Sequence, residues 1–107
     1  MKLFEILLSD TQIENTQVYE YQEPVWRIIF DTEDLSTLFD MTPAVEAIQV
    51  IDAAVSRLMA RSEEIRQVIS ADEKLGVRGY RSRLLAMRRD LVNYPAARMS
   101  GVIEADE

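Results

Sequence analysis

Between residues 43 and 70 the apolar residues return at alternating intervals of three and four: Ile48, Ile51, Val55, Leu58, Ile65 and Ile69, with Ser62 the one polar member of the series. Only an α-helix puts such a series on one face. Val45, Val50, Ala54 and Met59 widen that face beyond a narrow seam. Thr42-Pro43 offers a cap residue followed by proline at the first helical position. The spacing therefore predicts one long helix from about Pro43 to about Ser70, and the rest of the chain must cover it.

A break from Asp72 to Gly79 contains Gly76 and Gly79. Val77, Tyr80, Leu84, Met87, Leu91 and Tyr94 then repeat the helical pattern until Asn93-Tyr94-Pro95 stops it. Two such helices are expected to pack as an antiparallel hairpin. Alanines at 44, 47, 53, 54 and 60 allow close approach, but the first helix carries more apolar surface than one partner helix can bury. Either an N-terminal sheet covers the remainder, or a second copy of the chain does so in a homodimer through the helices.

The N-terminal part reads as β. Leu3–Leu8 alternates as a strand does, although a short helix pairing Leu3 with Leu7 is an alternative. Ser9-Asp10-Thr11 and Glu14-Asn15-Thr16 have turn chemistry. Residues 17–22 and 25–30 are β-branched and aromatic, and Glu23-Pro24 separates them, so a hairpin is expected with Trp26, Ile28 and Phe30 facing a core; one bent edge strand is the fallback. Asp31-Thr32-Glu33-Asp34 resembles a helix start, followed by Leu35, Leu38 and Phe39. The expected fold class is α+β: an N-terminal antiparallel sheet of two or three strands, a short helix, then a long antiparallel helical hairpin. Residues 1–97 form a single domain (1–30 β-rich, 31–97 helical), and 98–107 form a flexible acidic tail.

The net charge of −7 is unevenly placed. Residues 1–55 hold Lys2 and Arg27 against eleven acids, whereas residues 74–94 hold Lys74, Arg78, Arg81, Arg83, Arg88 and Arg89 against Asp90 alone. On the last helix Arg78, Arg81, Arg88 and Arg89 fall within an arc of roughly 100°. Guanidinium forks there suit carboxylates or phosphates, or the arginines pair with the chain's own acids or stay solvated. Asp31, Glu33 and Asp34 belong to an acidic surface that either mimics nucleic-acid charge or only keeps the chain soluble. Tyr19 and Tyr21, two residues apart on a strand, share one face; with Trp26 and Phe30 they are binding anchors or core.

The chain has no cysteine and no histidine. That removes thiolate nucleophiles, zinc sites with cysteine ligands, serine–histidine triads and the commonest general base. No glycine-rich phosphate loop can be built from Gly76, Gly79 and Gly101. Asp31–Asp34 lacks the glycine and distal glutamate of a calcium loop, so no metal and no cofactor are expected. The opening Leu3–Leu8 run is short and interrupted by Glu5, unlike a secretory signal. No apolar stretch approaches the roughly 20 residues of a membrane helix. A cytoplasmic location without membrane contact is expected.

These features point to a non-enzymatic regulator, inhibitor or adaptor docking on a larger protein. Small acidic chains with no motif are common among phage and mobile-element proteins that act on host machinery, an analogy rather than an inference from residues. The alternatives are a nucleic-acid binder using the arginines, disfavoured by the net negative charge, and an assembly chaperone that holds an apolar segment.

Overall fold

A computed structural model describes residues 2–69, 71 and 73–104. The fold is α+β, as expected, but the antiparallel sheet has four strands rather than two or three. Strands β1 (Lys2–Leu8) and β2 (Thr11–Val18) form a hairpin, β3 is the two-residue Thr42–Pro43, and β4 is Arg98–Glu104, in the order β2-β1-β4-β3. Helices α1 (Glu23–Phe30), α2 (Ala44–Ala60), α3 (Ser62–Val68) and α4 (Gly76–Asn93) supply the rest of the core. Ser9-Asp10 makes the β1–β2 turn, with Ser9 at φ 56°.

Six expectations are corrected. Residues 25–30 are helical. Pro24 lies in the first turn of α1, where its missing N–H costs nothing. A strand would have turned Val25 and Ile29 outward, but a helical face buries Val25, Trp26, Ile29 and Phe30 together and leaves Ile28 half-buried. Strand β2 runs through the Glu14-Asn15-Thr16 segment that looked like a turn. Its polar character reflects an exposed edge, not a bend.

The long helix is divided at Arg61 (φ −111°, ψ 25°), beside the polar Ser62, so that Ile65 on α3 points into the core. Thr42 and Pro43 form β3, and Thr42 makes no side-chain cap to α2. The short helix expected after Asp31 is a single 3-10 turn, Leu35–Thr37.

The sixth correction concerns the tail. Residues 98–104 form β4 between β1 and β3, pairing Lys2 with Glu104 and Met99 with Thr42. Met99 is fully buried and Val102 nearly so. Gly101, which read as looseness, is where the strand passes closest to the Leu35–Phe39 segment: a Cβ there would sit 2.6 Å from the Leu35 carbonyl oxygen. Its N–H donates to Phe39 O at 2.7 Å. Ser70, Asp72 and the remaining tail residues, 105–107, lie outside the described residues.

The sheet and α1 answer the question of what covers the helices. Phe4 and Ile6 on β1 and Met99 on β4 join Ile51, Ala54 and Leu58 of α2 and Tyr80, Leu84 and Leu91 of α4 in one core. A salt bridge from Glu23 to Lys2 (3.3 Å) ties α1 to β1 at the rim, and Arg27 lies 3.6 Å from the same carboxylate within α1. Because backbone oxygens, not a flexible side chain, surround Gly101, Gly101→Ala should lower unfolding free energy by about 1–3 kcal/mol in urea titrations. A negligible loss would mean that β4 does not pack there.

Candidate partner-docking surfaces

Helix α4 buries Tyr80, Leu84, Met87 and Leu91. At about 100° per residue Arg78, Arg81, Leu85, Arg88, Arg89 and Val92 fall in an arc beside that buried stripe, with Arg88 nearest to it. Two of the four arginines meet acids of their own chain. Arg88 Nε donates to Asp52 Oδ1 on α2 at 2.7 Å, and Arg89 lies 3.6 Å from Asp90. Both groups of the Arg88–Asp52 pair are about half exposed, so the pair contributes at most about 1 kcal/mol. Among the described residues Arg78 and Arg81 form no ion pair.

The residues between the arginines are what sequence reasoning missed. Leu85 and Val92 are 37% and 51% exposed, and Val45 and Met59 of α2 are 66% and 57% exposed. Asp52 faces Arg88 across two antiparallel helices, so Val45 falls toward the Val92 end and Met59 toward the Arg81 end. A helical projection of α4 puts Leu85 and Val92 inside the arginine arc, and that signal was legible.

Tyr19 and Tyr21 stay outside the core, whereas Trp26 and Phe30 are buried in it. The two tyrosines stack with ring centroids 5.7 Å apart and planes within 9°. They do share a face, though not as strand neighbours: Tyr19 follows β2 and Tyr21 sits in the 3-10 turn Glu20–Gln22. The Tyr19 hydroxyl donates to Gln17 Oε1 at 2.7 Å. The pair borders a shallow groove with Glu73, Lys74, Leu75 and Arg83. Beneath it the buried Tyr80 hydroxyl donates to Glu73 Oε1 at 2.6 Å. Burial, and then that bond to a carboxylate, pushes the Tyr80 phenol far up, so it stays protonated.

The acids of the 31–34 segment have work inside the fold. Asp31, in the left-handed region (φ 51°, ψ 50°), ends α1 by donating its N–H to Arg27 O and Ile28 O. Asp34 caps the 3-10 turn, its Oδ1 accepting from Ser36 N at 2.9 Å and Ser36 Oγ at 2.5 Å. Glu33 is exposed beside Arg27 and borders separate hollows from those near the tyrosines. The nine candidate residues thus occupy three surfaces rather than one site. Among the described residues no group of three or more acids is placed to hold a metal, and no helix is long and apolar enough to cross a membrane.

The Ser36 hydrogen bonds hold the Asp34 carboxyl below its ordinary value of 3.8. A depressed folded pKa contributes stability above the unfolded pKa and loses it as pH falls through the folded one. Asp34→Asn should therefore lower stability at neutral pH and flatten the acid side of the stability–pH curve below about 3.8. Superimposable acid limbs for the two proteins would contradict the capping role.

Comparison with protein-family models, curated proteins and solved structures finds no match to this chain.

Proposed function

We propose that the protein is a non-enzymatic regulator, inhibitor or adaptor that docks on a larger protein through the outer face of α4. One observation carries this: Leu85 and Val92, flanked by Val45 and Met59, lie exposed among Arg78, Arg81, Arg88 and Arg89. Apolar side chains set between guanidinium groups match a partner with an apolar strip bordered by carboxylates. The apolar atoms would be buried on contact, and each planar guanidinium can bind a carboxylate with two hydrogen bonds. Arginine is also among the residues that most often dominate binding energy at interfaces.

Phosphate ligands would satisfy the arginines but leave the apolar residues unused. The net charge of −7 also opposes approach to a nucleic acid at long range.

The test is capture of a stoichiometric partner from lysate at low and high salt, with and without nuclease. It compares wild type with the Arg78, Arg81, Arg88 and Arg89 to Ala variant and with Leu85→Asp, each checked for folding by circular dichroism. The partner's affinity should fall at least about tenfold, or 1.4 kcal/mol, in both variants, and survive nuclease in the wild type. Retention by both variants, or recovery of nucleic acid that nuclease abolishes, would contradict the proposal.

A further inference from the structure

Strand β2 is an open edge. Seven of its eight residues pair with β1 on one side, and no described strand lies on the other. Sheet edges are commonly protected by proline, lysine or shortness, because unpaired N–H and C=O groups template pairing with another chain. The opposite edge is protected in this way: β3 is two residues long and includes Pro43. β2 contains no proline, lysine or arginine; it has an irregularity at Ile13 and one charged residue, Glu14, so the stretch without any such device is Asn15–Val18.

We infer that β2 pairs antiparallel with β2 of a second copy of this chain, joining two four-stranded sheets into one. A two-fold axis perpendicular to the sheet relates such strands, so residues opposite one another share a face and the axis passes through one residue. The sequence of β2 selects that residue. An axis at Glu14 would set two carboxylates against each other. An axis at Asn15 would carry the pairing through the irregularity at Ile13, which has no partner on β1 where the register shifts between Ile6 and Leu7.

An axis at Thr16 uses only the regular Glu14–Val18 stretch. It sets Thr16 against Thr16, a favourable cross-strand pair, and Asn15 against Gln17, two amides that can exchange hydrogen bonds. Glu14 then faces Val18 of the second copy with no like charge opposite. Glu14 and Thr16 lie on the helix side of the sheet, bordering a groove that Arg83 and Arg89 of α4 also border. The same register brings Tyr19, 44% exposed, alongside Ile13 of the second copy. This interface adjoins Arg89 and leaves Arg81, Leu85, Arg88 and Val92 of α4 for the docking proposed above.

Sedimentation equilibrium of the full chain at micromolar concentration, with two single substitutions, tests this. The wild type should be a dimer. Thr16→Lys, which sets two ammonium groups together at the axis, should be a folded monomer. Thr16→Cys should cross-link under mild oxidation at least about tenfold faster than Gln49→Cys on the exposed side of α2. The chain has no other cysteine, and antiparallel Cα separations of about 4.5–5.5 Å fit a disulfide. A monomeric wild type, a dimer that persists in folded Thr16→Lys, or cross-linking of Thr16→Cys no faster than the control would each overturn the inference. Should Thr16→Lys fail to fold, the cross-linking rates decide.

Discussion

The ring of Phe4 meets three others: Trp26 at 5.7 Å, Phe30 at 5.5 Å and Phe39 at 6.1 Å between centroids, all edge-on. Trp26 in turn contacts Tyr80 at 4.9 Å. One side chain of the first strand thus ties α1 and the segment before β3 to the sheet, and through Trp26 reaches α4. Such ring pairs contribute about 0.5–1.5 kcal/mol each beyond the burial of their area. The cluster is strong enough to bury the Trp26 Nε1–H without a partner among the described residues, a penalty of about 1–3 kcal/mol. Phe4 can hold this place only while β4 lies beside β1, because Met99 and Val102 close the same core from the neighbouring strand.

Closure of that core determines what is left outside. The sheet and α1 cover the inner faces of α2 and α4, so the apolar residues that remain exposed are a selected few. Val45, Met59, Leu85 and Val92 lie on the outer side of the helix pair and Tyr19 stacks on Tyr21, while Met41, Val68 and Tyr94 are exposed as well. In the 31–34 segment, whose acids either mimic nucleic-acid charge or keep the chain soluble, the Asp34 carboxylate caps a turn, while Asp31 ends α1 through its backbone N–H alone. The outer face of α4 differs. Among the described residues only Arg88 reaches across to an acid on another element, through an exposed and therefore weak pair. The exposed Leu85 and Val92 do nothing for the core.

Helical periodicity gave α2 and α4 and the burial of Tyr80, Leu84, Met87 and Leu91, but it ran through Arg61 to Ile69 without signalling the division between α2 and α3. Short elements were not legible, because tertiary contacts decide them. Val25-Trp26-Arg27-Ile28-Ile29-Phe30 has strand composition, but its burial needs the i, i+1, i+4, i+5 pattern of a helix face. β4 was hidden because Gly101 and the acids near the C-terminus look like loose chain. Only the approach of the Leu35 and Phe39 carbonyl groups explains why glycine stands there. The arginine arc was readable from angular position alone. The groove that gathers Tyr19, Tyr21, Lys74 and Arg83 was not, since it joins residues far apart in sequence.

Native-state hydrogen exchange followed by NMR tests most directly whether the C-terminal strand completes this scaffold. The account predicts that the hydrogen-bonded amides of β4 exchange as slowly as those of β1, through the same global unfolding event, with Gly101 among the protected sites. Exchange of residues 98–104 at the rate of a free peptide, while β1 stays protected, would contradict it and return the segment to the status of a loose tail.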